Sequence, residues 1–350
     1  MGEHAAVYGR PALVAAVNRR VRVRLELADK SDGVLFDAPQ LKVHERWTCG
    51  ELRGYARRRR GAWQNWKDGG AGPDFGSTLD PRPSQLIAVA VGEALCLAGD
   101  GASFGGRLHV TSELPVGAGF GSSAAAASSI VLAVLEAVRR PPSQDELEAL
   151  TLDVERRQHG TPSGIDGAAV VRGGVLWTTR RAGELSVEPI AVKRAGFFAG
   201  WRVAHTGPAA ESTGEVVAAV RRRRSEDAES FDRALDLAAE ATLTVRRLSE
   251  AEGQGDGPSL IDPIRRFSAW LASIGVVPSA VAQAVGRVEA AGGAAKISGA
   301  GCLAGPGAGS FLVSHPAPAA AARLLQSLAP FEPMDLRLGA PGARLETPDT

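Results

Sequence analysis

The chain has few cysteines and almost no net charge, and each shortage excludes a class of protein. Its three cysteines, Cys49, Cys96 and Cys302, lack CxxC spacing. This argues against a disulfide framework or a zinc site and fits a reducing cytoplasm. The 40 Lys and Arg residues nearly balance the 39 Asp and Glu residues, so no overall field indicates nucleic acid or an anionic membrane. We therefore expect a small-molecule partner.

The sequence also lacks a long apolar run. The N-terminus, MGEHAAVYGR, has neither the basic nor the apolar part of a signal peptide, and the most apolar run, residues 124–138, is interrupted by polar residues. We expect no signal peptide and no membrane span, and hence a cytoplasmic protein. A chain of 350 residues is long enough for two domains.

The most informative stretch is a glycine loop, PVGAGFGSSAAAA, between a predicted strand at 108–113 and a predicted helix at 124–138. Glycines permit positive φ and let a ligand approach the backbone, and serines at a helix start lie beside free N–H groups that attract anions. The pattern favours a phosphate-binding loop. The residues concerned are Gly117, Gly119, Gly121, Ser122 and Ser123.

Two other phosphate loops fit poorly. A dinucleotide-binding turn needs Gly or Ala where Ser122 stands, and its acidic residue would be Glu136, in the middle of the helix. A Walker loop needs a lysine, and none follows these glycines. The loop is then either a phosphate loop of another kind or a plain glycine turn before a core helix.

A second informative stretch, HGTPSGID, follows a helix that the capping box of Ser143 and Glu146 predicts. It ends in Asp166, which we predict to lie in a tight turn before a strand at 168–177. A carboxylate fixed near a phosphate loop suits a base that accepts a hydroxyl proton during phosphoryl transfer. Taken alone, the segment favours a reading of Asp166 as an acid that caps a turn.

Four segments together resemble one enzyme superfamily. PVGAGFGSSAA resembles the ATP loop of the galactokinase, homoserine kinase, mevalonate kinase and phosphomevalonate kinase (GHMP) superfamily, and KISGAGCLAGPGAGSFLV resembles its third motif. GEHAAVYGRPAL and HGTPSGID resemble motifs of its mevalonate kinase branch. The resemblance implies two α+β domains, the first like a ribosomal-protein domain and the second ferredoxin-like, with ATP in the cleft between them. We place these domains at 1–195 and 196–350.

The resemblance also assigns roles, which stand here as expectations. Asp166 is the implied catalytic acid, and Ser123 and Glu155 are the implied ligands of Mg²⁺. The implied acceptor-side residues are Glu3, His4 and Thr213. ATP, the co-substrate, is expected to contact Pro115, Gly117, Ala118, Gly119, Gly121, Ser122 and Ser123. The supporting glycine turn, expected to pack against the ATP loop, contains Gly299, Ala300 and Gly301.

The function implied by the resemblance is ATP-dependent phosphorylation of mevalonate in isoprenoid biosynthesis. Three alternatives are left open: a phosphomevalonate kinase, a sugar kinase of the same superfamily, and a catalytically silent homologue that binds only nucleotide or a protein. Homodimers are common in the family, and the sequence leaves the oligomeric state open.

One family feature is missing from the sequence. Family members carry a catalytic lysine on a strand before GEH, where this chain has Met1, and neither Lys193 nor Lys296 is predicted to replace it. We expect the natural protein to begin further upstream with a short strand that contains a lysine.

Two further segments carry predictions. Residues 61–83, rich in Gly and Pro, are predicted to form a long loop, with Trp63 and Trp66 packing it down or covering a pocket edge. The preceding arginine run, 57–60, is predicted to be a solvated helix face.

Overall fold

Helices and strands alternate along the chain in the computed structural model, which describes residues 1–69, 75, 82–115, 118–181, 183–194, 196–252 and 258–346. The strands are β1 Ala12–Ala15, β2 Val21–Ala28, β3 Val34–Ala38, β4 Val43–Trp47, β5 Gly105–Ser112, β6 Val175–Arg181, β7 Glu184–Pro189, β8 Trp201–His205, β9 Ala294–Ser298, β10 Ser310–Ser314 and β11 Glu332–Met334. The helices are α1 Cys49–Asp68, α2 Gln85–Ala98, α3 Ser122–Ala137, α4 Gln144–His159, α5 Ile165–Arg172, α6 Thr213–Glu226, α7 Ala228–Glu250, α8 Pro258–Ser273, α9 Ser279–Ala290 and α10 Pro318–Gln326.

The described residues form two compact units. The first contains residues 1–18, 118–120 and 174–340, and the second contains 19–115, 121–173 and 341–346. These units do not coincide with the predicted segments 1–195 and 196–350, because residues 1–18 lie with the second half of the chain. The predicted domain boundary at residue 195 stays a prediction.

The second unit is built on a four-stranded sheet in the order β2-β5-β3-β4. β3 and β5 are parallel, and the other neighbours are antiparallel. Val34, Phe36 and Ala38 alternate with less buried residues along β3, the period expected of a strand with one buried face. Helices α1 to α4 pack in succession, α1 on α2, α2 on α3 and α3 on α4. This packing brings the starts and ends of several helices together at the candidate site.

The first unit contains two sheets, β1-β6-β7 and β11-β8-β10-β9. Its largest core cluster joins helices α6 to α10 to the second of these sheets through side chains such as Phe231, Leu235, Phe267 and Phe311. β9 and β10 pair antiparallel, with Ser298 opposite Ser310. The glycine turn of the third motif therefore connects two core strands, as the sequence predicted. No helix among the described residues has both the length and the apolar character that a membrane crossing requires.

The predicted strand at 168–177 is wrong in its first part. Residues 165–172 form α5, and the strand begins only at Val175. Gly164, with φ of 80°, begins this helix, and Gly173, with φ of 72°, ends it. Ala168, Ala169 and Val171 are buried along it, a spacing that a short apolar run shares with a strand. Asp166 therefore lies in the first turn of a helix.

The predicted loop at 61–83 is also wrong in its first part. Helix α1 continues through Gly61 to Asp68 and carries both tryptophans. Packing against α2 maintains the helix despite the low helix propensity of glycine. Along the arginine run, Arg59 is buried while its neighbours are exposed, so the predicted solvated face holds for three of the four arginines. Within 70–83, residues 70–74 and 76–81 lie outside the described residues.

Two glycines provide a test of this arrangement. A Cβ on Gly92 of α2 would overlap the Leu52 carbonyl oxygen and lie 2.7 Å from Ala56 Cβ, whereas a Cβ on Gly61 would meet nothing within 4 Å. We expect Gly92→Ala to lower the free energy of unfolding by about 1–3 kcal/mol, because overpacking forces α1 and α2 apart. Gly61→Ala is expected to raise it by up to about 1 kcal/mol, since alanine favours a helix. Urea denaturation measures both, and a destabilised Gly61→Ala variant would contradict a helical residue 61.

Candidate active site

The start of α3 forms one side of the candidate site. Gly121 caps the helix with a left-handed φ of 66°, and a Cβ there would lie 3.5 Å from Asp166 Cβ. Ser122 and Ser123 form the first helical residues, as predicted. The first N–H groups of a helix have no intrahelical acceptor and carry partial positive charge. The left-handed φ at position 121 favours glycine, and the start of α3, which attracts anions, lies next to Asp166.

The end of α4 presents two polar side chains to Ser123. His159 Nε2 lies 3.3 Å from Ser123 Oγ, and the Ser123 hydroxyl donates a hydrogen bond to the Glu155 carboxylate. His159 Nε2 also lies 3.8 Å from Glu155 Oε1. Glu155 itself is buried, with 6% of its surface exposed. Ser123 and Glu155, predicted as a pair, are thus brought together.

Both carboxyl groups of the site have raised pKa values. Burial raises the pKa of Glu155 to about 7, and the nearby Asp166 carboxylate adds to this, although the Ser123 hydrogen bond opposes it. Asp166 reaches solvent, yet the protein groups packed around it dehydrate its carboxyl and raise its pKa above the usual range. Dehydration lowers the pKa of His159, which favours its neutral form. Among the described residues, neither acid forms an ion pair with a Lys or Arg.

The donors present fit a magnesium ion. Oε1 of Glu155 is buried without a hydrogen-bond partner in the structure, so one carboxylate oxygen is available beside the Ser123 hydroxyl. Mg²⁺ takes oxygen ligands and commonly binds through one or two carboxylates, with phosphate oxygens and water completing its shell. No group of three or more His, Cys, Asp or Glu side chains within the described ranges could hold a metal ion. The protein would then supply only part of the shell.

The first unit holds the other described part of the phosphate loop, residues 118–120. Gly119 has φ of 74°, and a Cβ there would lie 3.0 Å from the Ser298 carbonyl oxygen. A Cβ on Gly299 would lie 3.3 Å from Gly119 Cα. The supporting glycine turn therefore packs directly on the loop. Gly117 lies outside the described residues, and Pro115 lies just before that gap, half-buried.

Glu3 and His4 both contact the third motif. Nζ of Lys296 donates to Glu3 Oε1 at 2.5 Å, and Ser298 Oγ donates to the same oxygen at 3.1 Å. His4 has a left-handed φ of 57° and is 6% exposed. It donates from Nε2 to the Ala300 carbonyl at 2.8 Å. The predicted acceptor-side pair thus fixes the strand and turn that contain Gly299, Ala300 and Gly301.

Glu3 and Lys296 can both be buried because their opposite charges compensate each other. Burial alone would raise the pKa of Glu3, but the charge and hydrogen bond of Lys296, together with the N-terminal ammonium and a backbone hydrogen bond, outweigh burial and lower that pKa to about 2. Burial lowers the pKa of His4, so its ring is neutral and donates a single hydrogen bond. Sequence reasoning missed the role of Lys296. A lysine within the apolar strand AAKIS was the available signal, since lysine is rarely fully buried without a partner.

Glu211 is a second residue that sequence reasoning missed. Its carboxylate accepts hydrogen bonds at 3.0 Å from the backbone N–H groups of Leu303 and Ala304 and from the Cys302 thiol. These residues replace further glycines of the family motif, and they bind the segment that leads into α6. Thr213, the third predicted acceptor-side residue, is the exposed first residue of that helix.

Comparison with known proteins finds similarity to GHMP kinases. Residues 86–174 match the family model of the GHMP kinases N terminal domain. A mevalonate kinase of Pyrococcus horikoshii is 26% identical over 348 residues, 99% of this chain and 94% of that protein.

Solved structures share the fold at lower identity. The mevalonate kinase of Methanococcus jannaschii has a TM-score of 0.76 at 17% identity, covering 96% of this chain and 94% of that one. The phosphomevalonate kinase of Streptococcus pneumoniae, in a complex with phosphomevalonate and AMPPNP, has a TM-score of 0.65 at 16% identity, covering 96% of both chains. The predicted resemblance and the two-domain α+β fold of GHMP kinases are confirmed.

The buried pair of Glu3 and Lys296 yields a stability prediction. Lys296→Met removes the cation and leaves an uncompensated buried carboxylate. We therefore expect the free energy of unfolding to fall by about 3–5 kcal/mol at pH 7. The folded pKa of Glu3, about 2, lies below its ordinary value of 4.5. Its stabilising contribution is therefore complete above pH 4.5 and is lost as the pH falls through 2. Urea denaturation at pH 7 and pH 3 measures the free energy of unfolding of both proteins, and the difference between Lys296→Met and wild type should be smaller at pH 3.

Lys193→Met is the matched control, because Lys193 is exposed in the same unit. We expect the free energy of unfolding of this variant to stay within about 0.5 kcal/mol of the wild-type value. Equal losses for both variants, or a loss for Lys296→Met that grows at low pH, would contradict the ion pair.

Proposed function

We propose that this protein transfers the γ-phosphoryl group of ATP to the primary hydroxyl of mevalonate. One observation carries the proposal: Ser123, Glu155 and Asp166 converge at the start of α3, where a metal-ligand pair and a base meet an anion-attracting helix end. Similarity to a protein named mevalonate kinase over 99% of the chain supports the acceptor class. The comparisons support a kinase of the mevalonate pathway more broadly than they support any single acceptor.

In the proposed reaction, Asp166 accepts the proton of the acceptor hydroxyl. That oxygen then forms a bond to the γ-phosphorus while the bond from the γ-phosphorus to the bridging oxygen breaks and ADP leaves. The raised pKa of the Asp166 carboxyl makes it a better base than an ordinary aspartate. Phosphoryl transfer depends mainly on positioning and charge stabilisation, and the N–H groups at the start of α3 provide both for the phosphates.

Ser123 and Glu155 would hold magnesium. A bound ion would supply positive charge that offsets the charge developing on the transferred phosphoryl group. His159 contacts Ser123 Oγ through Nε2, and we assign it the task of orienting that hydroxyl. Because the lowered pKa of His159 keeps it neutral, it adds no charge of its own.

Two features favour mevalonate over phosphomevalonate as the acceptor. HGTPSGID resembles the motif of the kinase that acts on the unphosphorylated acid. Neither GEHAAVYG nor HGTPSGID contains a Lys or Arg, and a second phosphate would need such a partner. The Lys296 ammonium, next to GEHAAVYG, is already engaged by Glu3.

The first test is ATP consumption with mevalonate, phosphomevalonate and galactose, for wild type and Asp166→Asn. We expect mevalonate to be the best acceptor, and Asp166→Asn to lower kcat by at least about 10²-fold because the base is lost. Nucleotide affinity, measured by calorimetry, should stay near wild type. A hundredfold preference for phosphomevalonate would overturn the acceptor assignment. No turnover with any acceptor would favour a silent homologue, and near-native turnover by Asp166→Asn would remove Asp166 from the mechanism.

The second test is a double-mutant cycle on the magnesium pair. Ser123→Ala and Glu155→Gln should each raise the magnesium concentration needed for half-maximal activity. The double variant should lose less than the sum of the two single effects, because residues that act as one unit are not additive. Magnesium titrations of the four proteins measure this, and full additivity would indicate separate roles.

A further inference from the structure

The C-terminal end of α1 packs on the C-terminal end of α4, outside the residues assigned above. Nε1 of Trp63 donates a hydrogen bond of 2.7 Å to the carbonyl oxygen of Gly160. Gly160 ends α4 and directly follows His159, and its own N–H closes the last turn on the Arg156 carbonyl. The indole therefore holds the backbone one residue after a side chain of the candidate site.

The conformation of Gly160 leaves no room for another residue. Its φ of 76° is left-handed. A Cβ there would lie 2.9 Å from Phe75 Cβ and 3.0 Å from the Trp66 ring. The rings of Trp66 and Phe75 contact each other with centroids 5.2 Å apart. Aromatic side chains thus enclose the Gly160 backbone, while Trp63 supplies the hydrogen bond to its carbonyl.

A buried charge pair also lies against the Trp63 ring. The Arg157 guanidinium lies 5.1 Å from the Trp63 ring centroid, and its Nε is 3.5 Å from Glu93 Oε1. The Arg157 and Glu93 side chains are 5% and 1% exposed. Arg59 donates to the Arg157 carbonyl at 2.9 Å. The last turn of α4 is therefore held by α1 and α2 at its backbone and at its side chains.

We propose that Trp63 is a positioning residue for the metal pair: by holding the Gly160 carbonyl, it fixes the end of α4 so that Glu155 and His159 face Ser123. The inference rests on the proposed function only for the identity of the metal site. We expect Trp63 to affect the affinity for the metal–nucleotide complex, because its contacts reach the end of α4 and do not include Asp166.

The test compares Trp63→Phe with Trp47→Phe. Phenylalanine keeps a ring at position 63 but removes the N–H that Gly160 accepts. Trp47 lies in the same unit, and its indole donates to Glu45 Oε2 at 3.3 Å on β4, so its replacement also removes one ring N–H donor. Mn²⁺ serves as the probe, since it shares the oxygen ligands of Mg²⁺. Free Mn²⁺ is followed by electron paramagnetic resonance in the presence of an imido analogue of ATP.

We expect Trp63→Phe to weaken Mn²⁺ binding about 3- to 10-fold, the range for one lost hydrogen bond, and Trp47→Phe to stay within twofold of wild type. Amide hydrogen exchange should accelerate at 156–164 in Trp63→Phe alone. In kinetics, the change should appear in the magnesium requirement, with kcat at saturating metal near wild type. If Trp63→Phe is unfolded in a thermal melt, Trp63→His, which keeps a ring N–H, replaces it and should bind Mn²⁺ within threefold of wild type.

Each outcome is decisive. Equal Mn²⁺ affinity in Trp63→Phe and wild type, or equal losses in Trp63→Phe and Trp47→Phe, would overturn the positioning role while leaving the proposed function intact. A loss of Mn²⁺ affinity by the fallback Trp63→His beyond threefold would also overturn it. If wild type phosphorylates another acceptor but Trp63→Phe binds Mn²⁺ weakly, the proposed function fails and the positioning role stands. Wild type that binds no Mn²⁺ with the nucleotide analogue would overturn both.

Discussion

The structure around the candidate site depends on two dehydrated carboxyl groups that face the start of one helix. Glu155 is buried, and its pKa is raised by that burial and by Asp166. Such a pair is unfavourable by itself, since each charge lacks water and repels the other. The Ser123 hydroxyl and the free N–H groups at the start of α3 offset part of that cost. A divalent cation with phosphate oxygens would offset the rest, so the arrangement suits a protein whose ligands arrive together.

The two sides of the phosphate loop use glycine for different reasons. Gly119 has little room for a side chain, because a Cβ there would lie 3.0 Å from the Ser298 carbonyl oxygen, and position 121 favours glycine because its φ is left-handed. The first reason belongs to one compact unit and the second to the other. A glycine-rich sequence that reads as one ligand-binding motif therefore also satisfies two separate packing requirements.

Local signals in the sequence predicted much of this. The capping box of Ser143 and Glu146, the helix start at Ser122 and the paired strands around the third motif were predictable because each depends on neighbouring residues. The helix at 165–172 and the continuation of α1 through Gly61 were not, since tertiary packing decides between a strand, a loop and a helix for short or glycine-containing runs. The pairing of Glu3 with Lys296 joins residues 293 positions apart, and no local pattern reports such a contact.

That long-range pairing changes the interpretation of the GEH segment. The resemblance assigns GEH to the acceptor, yet Glu3 binds the Lys296 ammonium and His4 binds the Ala300 carbonyl. Both contacts order the strand and turn on which Gly119 packs. An acid that compensates a buried lysine has a fixed orientation and one remaining oxygen, Oε2, that is buried without a hydrogen-bond partner in the structure. The contacts of Glu3 and His4 therefore have a packing and charge-compensation role within the first unit, whatever ligand the protein takes.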